Sequence, residues 1–223
     1  GRGVAEKARL VLQGDSHEDQ HIKEHGLHGS DQGNNRERGN VLVIAGKGNN
    51  GGDGLAAARY LDIWGFHVKI LMLAGEEDLT GSPLVNLQLC KLRNVEIYNI
   101  NRDEKGYLKE IENLIYNADL LIDAMLGTGI SGNVREPYSL LIDLINQFAS
   151  LVLSVDIPSG IDGKNGNILG NAVTADYTMT MAYPKPGLVV YPGRGYCGTI
   201  EVVDLGVPVE FALKQKLQHF VLD

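Results

Sequence analysis

The run GKGNNGGDG at residues 46–54 has the composition of a turn that binds anions. It follows an apolar, strand-like segment and leads into a helix-like one. Glycines let a backbone approach a ligand closely, and the amide groups at the amino end of a helix favour phosphate. We therefore predict a phosphate-bearing small molecule as the ligand, and a tight turn without a ligand is the simpler alternative. Asn49, Asn50 and Asp53 set the run apart from an ordinary phosphate loop.

Two further aspartates each end an apolar segment. Asp123 is followed by a Gly-Thr-Gly loop, and Asp156 by a Pro-Ser-Gly turn that contains Ser159. In a parallel sheet the carboxyl ends of the strands open on one edge, where ligands bind. The residues expected to converge there are Asn49, Asn50, Asp53, Asp123, Asp156 and Ser159. Such an oxygen-rich crevice suits a hard cation, or one carboxylate serves as a general acid or base. Alternatively, each aspartate only caps a loop.

A stiff loop near the carboxyl terminus carries Lys185 between two prolines, in the segment AYPKPG. Proline restricts its own backbone and that of the preceding residue, so the position of this lysine is well defined. Its ammonium group could reach a phosphate. A solvated loop lysine fits the same pattern equally well, and both interpretations stay open.

The glycine run also matches the pattern GxGxxG, through Gly46, Gly48 and Gly51. A dinucleotide-binding dehydrogenase needs in addition an acidic residue near the end of the second strand, and Glu76 stands at such a place. A nicotinamide-dependent oxidoreductase is therefore one alternative function.

The candidate residues are positioned by secondary structure, which the sequence indicates through alternating strand and helix signals. Strands are predicted at residues 41–45, 67–73, 95–100, 120–123, 151–156, 175–181 and 199–203, and helices at 54–64, 83–93, 105–117 and 138–148. Strands that alternate with helices of this length imply βαβ units, so we predict the α/β class with a mostly parallel sheet. Residues 1–12 are predicted to be the remnant of a further helix.

The segment between that helix and the first strand has a different character. Residues 13–40 are polar and rich in Gly, Asn, Asp and His, which predicts a flexible connection. Its four histidines have a spacing that would align them on one helix face and bind a metal: His17, His21, His25 and His28. The glycines among them disfavour a helix, so a solvated linker is the prediction.

Composition limits the partners and the compartment. The 223-residue chain suits one α/β domain, and its formal net charge of −8 disfavours binding to nucleic acid or to an anionic membrane. No apolar run approaches the length of a membrane-spanning helix. The two cysteines are too few for a disulfide framework, so we expect a reducing compartment, the cytoplasm.

Four segments are specific enough to indicate a family: VLVIAGKGNNGGDGLAAARYL, LLIDAMLGTGISG, LSVDIPSGIDG and MAYPKPGL. In this order and spacing they closely resemble the NAD(P)H-hydrate epimerases, the YjeF N-terminal domain family. The resemblance begins at residue 41 and delimits a predicted epimerase domain at residues 41–212. The tail at residues 213–223 resembles the junction to a dehydratase domain in bifunctional members.

The resemblance implies a Rossmann-like, three-layer α/β/α sandwich and an isomerase of nicotinamide nucleotide repair. Members interconvert the R and S epimers of hydrated NADH and NADPH, called NADHX and NADPHX. A partner dehydratase, which depends on ADP or ATP and is fused to the epimerase in some members, accepts only the S form. A homodimer is also expected. Some relatives with this domain are non-catalytic scaffolds, which is a further alternative here.

The resemblance also implies a potassium ion, with Asn50, Asp123 and Ser159 as its ligands. The residues implied to bind the substrate are Asn49, Asn50, Gly51, Gly52, Asp53, Gly127, Thr128, Gly129, Ile130, Ser131, Gly132, Asn133 and Asp156. Epimerisation needs a group that protonates a leaving oxygen and then deprotonates water. We predict Asp156 in this catalytic role because it ends a strand that is expected to be buried.

Overall fold

The computed structural model describes residues 1–14, 39–100, 106–208 and 210. Most of the predicted connection, including its four histidines, lies outside these residues, as does the predicted tail at residues 213–223. In the part of the chain that the structure describes, no helix is long and apolar enough to span a membrane.

The described residues include seven strands and six α-helices, besides two short 3-10 helices at Glu76–Asp78 and Gly193–Tyr196. The strands are β1 (Asn40–Ala45), β2 (His67–Met72), β3 (Glu96–Asn99), β4 (Leu120–Ala124), β5 (Val152–Val155), β6 (Tyr177–Met181) and β7 (Thr199–Val203). The helices are α1 (Arg2–Gln13), α2 (Asn49–Ile63), α3 (Gly81–Leu92), α4 (Tyr107–Tyr116), α5 (Tyr138–Phe148) and α6 (Pro186–Val189). Each predicted strand and helix is present, and most bounds lie within two residues of the prediction.

The strands form one parallel sheet in the order β3-β2-β1-β4-β5-β6-β7. The predicted α/β class with a parallel sheet is thereby confirmed. From β1 the chain builds the sheet outward to β3, and from β4 it builds in the opposite direction to β7. The strand order thus reverses between β1 and β4. Open parallel sheets form a ligand crevice at the carboxyl ends of the strands at such a reversal.

Two hydrophobic cores lie on opposite faces of the sheet. Along β1, the side chains of Val41, Val43 and Ala45 join one core and those of Leu42 and Ile44 the other, as strand alternation requires. Helices α1, α2 and α3 cover the first core, and α4 and α5 cover the second. The predicted three-layer α/β/α sandwich is therefore confirmed, and α1 belongs to its first core.

The largest departure from the predicted elements lies in the glycine run. The prediction that the helix starts at residue 54 was wrong, because α2 begins at Asn49 with Gly48 as its N-cap. Glycine disfavours the interior of a helix by about 1 kcal/mol per residue. Close packing overrides that preference here. A Cβ atom at Gly51 would overlap the carbonyl oxygen of Gly46, and one at Gly54 would overlap the Cβ atom of Ala124.

We expect Gly51→Ala to lower the free energy of unfolding by about 1–3 kcal/mol, because overpacking would push α2 away from the turn after β1. Gly129→Ala is the matched control. A Cβ atom there meets nothing within 4 Å, and its change should stay within about 0.5 kcal/mol. Urea denaturation with unchanged m-values measures both effects. Equal stability of the two variants would contradict the packing role of Gly51.

Candidate functional site

Asp123 is a fully buried carboxylate near the end of β4. Its Oδ1 atom accepts hydrogen bonds from the Met125 amide at 3.3 Å and from the Ser159 hydroxyl at 2.6 Å. Its Oδ2 atom accepts from the Ser154 hydroxyl at 2.9 Å and from the Ser159 amide at 2.8 Å. Burial raises the pKa of the Asp123 carboxyl above its ordinary value, and these hydrogen bonds lower it in part. Asp123 therefore organises two strand ends rather than capping a single loop.

The predicted potassium ligands meet around the backbone of Leu126. The Asn50 side-chain amide donates to the Leu126 carbonyl at 3.1 Å, and the Leu126 amide donates to the Ser159 hydroxyl oxygen at 2.9 Å. Ser159 in turn contacts Asp123 directly. The structure thus brings together Asn50 from α2, Asp123 from β4 and Ser159 from the turn after β5.

The donor set of this cluster fits a hard cation. Asn50 contributes a buried Oδ1 atom that has no hydrogen-bond partner among the described residues. A buried acceptor left unpaired costs about 1–3 kcal/mol, so a ligand for this oxygen would be stabilising. The other two donors are a carboxylate and a hydroxyl oxygen, as hard cations prefer. Within the described residues there is no group of three or more His, Cys, Asp or Glu side chains that could hold a metal ion.

The first group of predicted substrate-binding residues lies on the opening turn of α2. The first amides of a helix have no partner within the helix, so this turn presents free donors at the strand-order reversal. Asn49 is exposed and Asn50 half-buried, whereas Gly51 and Gly52 are buried against protein. Asp53 Oδ1 accepts a hydrogen bond from the backbone nitrogen of Gly1 at 2.9 Å. Packing thus explains both buried glycines. Asn49 is the fully exposed residue in this group, and the Asp53 side chain keeps 40% of its surface exposed.

The second group, residues 127–133, forms the loop after β4. It borders the first group, because a Cβ atom at Gly127 would lie 3.3 Å from the Cβ atom of Asn50. Gly127 and Ile130 are half-buried. The exposed members of the loop are Thr128, Gly129, Ser131, Gly132 and Asn133. Much of the loop is therefore accessible to a ligand that lies on the opening turn of α2.

Asp156 follows β5 directly, two strands away from β1 in the sheet. Strand spacing puts it roughly 10 Å from the end of β1 along the carboxyl edge. Its Oδ1 atom accepts hydrogen bonds from the Met181 amide at 3.0 Å and the Thr180 hydroxyl at 3.4 Å, and it pairs with the Lys185 ammonium group. The side chain keeps 17% of its surface exposed. Among the described residues, no hydrogen bond joins Asp156 to the Asp123 cluster.

Sequence reasoning missed two hydroxyl residues at this edge, Ser154 and Thr180. Ser154 donates to Asp123, and the two are register partners in neighbouring strands. Thr180 contacts both Asp156 and Lys185. A signal for each exists in the sequence, since a single serine lies among the apolar residues of β5 and threonines alternate with methionines in β6. Strand alternation places such residues on one face.

A cavity of about 540 Å³ lies elsewhere, between α4 and the strands β1 to β3. Its polar lining mixes charges of both signs, from Lys69, Lys109 and Glu110. None of the predicted site residues lines it. The chemistry of the carboxyl edge, rather than the size of this cavity, therefore identifies the candidate site.

Comparisons with known proteins identify the family of this chain. A profile of the family described as YjeF-related protein N-terminus matches residues 5–187. The NAD(P)H-hydrate epimerase of Pirellula staleyi is 39% identical over 168 residues, which cover 75% of this chain and 73% of that protein. The bifunctional NAD(P)H-hydrate repair enzyme Nnr of Moorella thermoacetica is 35% identical over 182 residues, which cover 82% of this chain and 34% of that protein. The chain thus spans about a third of the length of the bifunctional relative.

The fold has a solved counterpart. The crystal structure of the yeast protein ynu0 superimposes with a TM-score of 0.67 and 22% sequence identity. The superposition covers 100% of this chain and 86% of the yeast chain. At this identity the similarity supports the fold alone.

Proposed function

This chain belongs to the YjeF-related protein N-terminus family, and on that premise we propose that it is an NAD(P)H-hydrate epimerase. The observation that carries the proposal is the carboxylate of Asp156 at the carboxyl edge of the sheet, which is mostly buried but still accessible. It shares that edge with the opening turn of α2, where free backbone donors suit the pyrophosphate of a dinucleotide. The relatives named epimerase and repair enzyme support the same reaction.

The chemistry follows from the hydrated ring, in which a hydroxyl-bearing carbon lies next to a ring nitrogen. Asp156 in its acid form gives its proton to the hydroxyl, the carbon–oxygen bond breaks and water leaves. The nitrogen lone pair forms a double bond to the carbon, which becomes planar. Water then adds to the other face, and the Asp156 carboxylate takes up the released proton. Bonds and protons balance, so the step needs no co-reactant.

A potassium ion is the cofactor that we propose, held by Asn50, Asp123 and Ser159. The unpaired Oδ1 atom of Asn50 and the buried carboxylate of Asp123 support this assignment. When bound, the ion supplies positive charge to a buried carboxylate. Asn50 and Ser159 also hold α2 and the turn after β5 against the loop after β4, because both residues hydrogen-bond to the backbone of Leu126.

We expect potassium to raise the melting temperature relative to sodium or tetramethylammonium at equal ionic strength. At one hundred times the dissociation constant the stabilisation is about 2.7 kcal/mol, or roughly 5–10 °C for a domain of this size. Asn50→Ala removes the unpaired oxygen and should abolish this increment, whatever its effect on baseline stability. Equal increments in both proteins would contradict the role of Asn50 as a ligand.

The test of the function is a coupled assay. The protein is mixed with hydrated NADH and a dehydratase that accepts only the S epimer, and recovery of NADH absorbance is followed. An epimerase accelerates the slow phase that depends on the R epimer. Hydride transfer from fresh NADH to an acceptor would instead identify an oxidoreductase. If neither signal appears, the protein is a non-catalytic scaffold and the proposal is overturned.

Partners and location form the remainder of the proposal. The substrates are NADHX and NADPHX, and the partner activity is an NAD(P)HX dehydratase that uses ADP or ATP. The name of the bifunctional relative supports that pairing. We also propose that the protein is a homodimer and that it is located in the cytoplasm. Sedimentation of the purified protein tests the dimer.

A further inference from the structure

The Lys185 ammonium group lies among three acceptors on two neighbouring strand ends. It pairs with Asp156 Oδ1, and it donates to the Thr180 hydroxyl oxygen at 3.1 Å and to the Met181 carbonyl at 3.0 Å. Its side chain is 21% exposed. Pro184 and Pro186 flank it, and Lys185 is the N-cap of α6 with an extended backbone. The backbone of Lys185 is therefore restricted by the two prolines, and its ammonium group is held by the three acceptors.

This geometry favours neither of the two interpretations that the sequence leaves open for Lys185, a phosphate ligand and a solvated loop lysine. A lysine ammonium group has three N–H donors and no acceptor. Each of the three has a protein acceptor here, so a substrate phosphate could bind only by displacing one of them. A solvated lysine would donate to water, whereas all three donors of Lys185 are directed at protein acceptors. The contacts of Lys185 are directed at Asp156 and its neighbours.

The two oxygens of Asp156 have unequal surroundings. Oδ1 accepts from the Met181 amide, the Thr180 hydroxyl and the Lys185 ammonium group. Oδ2 accepts no hydrogen bond from the described residues, and it is not among their buried unpaired atoms. The backbone of Asp156 has a φ of 66°, a left-handed conformation that few residues other than glycine, asparagine and aspartate adopt. One oxygen is thus anchored and the other is available.

We propose that Lys185 is the positioning residue of the epimerase: it anchors Asp156 Oδ1 so that Oδ2 faces the leaving hydroxyl and the incoming water. The ammonium group also balances the negative charge that Asp156 carries once its proton has gone to the leaving oxygen. This inference rests on the proposed function. It assigns to Lys185 an effect on turnover rather than on binding of the nucleotide.

The kinetic test compares Lys185→Met with the wild type in the coupled assay. We expect kcat to fall about 10²-fold with KM little changed, since misplacing a catalytic group by about 1 Å has an effect of that size. A phosphate contact would instead raise KM and leave kcat unchanged, which would overturn the proposal. Lys69→Met is the matched control, because Lys69 is also ion-paired, with Glu96 at 3.8 Å, and should keep wild-type kinetics.

Chemical rescue separates positioning from a merely structural role. Lys185→Ala leaves space for a small amine, and ethylammonium, which has N–H donors, should restore part of kcat. Tetramethylammonium has the same charge and no donor, so it should not. Failure of ethylammonium in a variant that keeps the wild-type melting temperature would count against positioning by hydrogen bonds.

A measurement without turnover keeps this inference separate from the proposed function. The ammonium signal of Lys185 in ¹⁵N NMR should be protected from exchange in the wild type, and Asp156→Asn should weaken that protection. Absence of the protected signal from the wild type would overturn the Lys185 assignment even if the protein epimerises its substrate. If the protected signal is present in a protein without epimerase activity, the proposed function is overturned, but the contact between Lys185 and Asp156 stands.

Discussion

Asp156→Asn is expected to lower kcat for epimerisation by about 10²–10⁴-fold, the usual contribution of a positioned general acid or base. The amide can neither give a proton to the leaving hydroxyl nor take one from water. Binding contacts elsewhere along the nucleotide are untouched, so KM should change little. A loss confined to kcat is the signature of an interaction made in the transition state.

Asparagine is the informative substitution because it preserves the local structure. Its carbonyl oxygen can still accept from the Met181 amide and the Thr180 hydroxyl. Asparagine also tolerates the left-handed backbone that Asp156 adopts, with a φ of 66°. The variant should therefore fold, and loss of activity can be read as loss of chemistry.

Asp62→Asn is the matched control for this variant. Asp62 lies near the end of α2, far from the carboxyl edge, and pairs with Arg93 on the surface. It should keep wild-type kinetics in the same coupled assay. If Asp156→Asn retains full activity while both variants fold, Asp156 is not the acid and base of the reaction.

The arrangement of the site was largely predictable because it depends on strand ends. Apolar runs that stop at Asp123 and Asp156 locate the carboxyl ends of β4 and β5, and a parallel sheet places those ends on one edge. The glycine run locates the amino end of α2 in the same way. Each of these features is local in sequence, and the topology of a parallel sheet then determines which of them are neighbours.

The contacts within the site were not predictable because they depend on register and on packing. The bond from Ser154 to Asp123 follows from the pairing of β4 with β5, which no local pattern specifies. The contact of Lys185 with Asp156 spans 29 residues and depends on how the chain turns after β6. The start of α2 at Asn49 required knowledge that Gly51 packs against the turn after β1.

Asp123→Ala is expected to lower the free energy of unfolding by about 2–4 kcal/mol, or roughly 5–15 °C in melting temperature. Two effects oppose each other. The raised pKa of Asp123 shows that burial disfavours its charged form, so removing the carboxylate relieves that penalty. Against this, the amides of Met125 and Ser159 lose their acceptor in a buried place. Each unpaired amide costs about 1–3 kcal/mol, so destabilisation should prevail.

Ser154→Ala provides the graded comparison for that variant. It removes one donor to Asp123 Oδ2 and leaves the Ser159 amide on the same oxygen, so the loss should be about 0.5–1.5 kcal/mol. Denaturant titration of both variants with and without potassium then separates two roles of Asp123. As a hydrogen-bond acceptor it determines the baseline stability, and as a cation ligand it determines the potassium increment. The increment should survive Ser154→Ala and disappear in Asp123→Ala. If Asp123→Ala is as stable as the wild type, relief of the buried charge outweighs the lost hydrogen bonds, and Asp123 is retained for the cation alone.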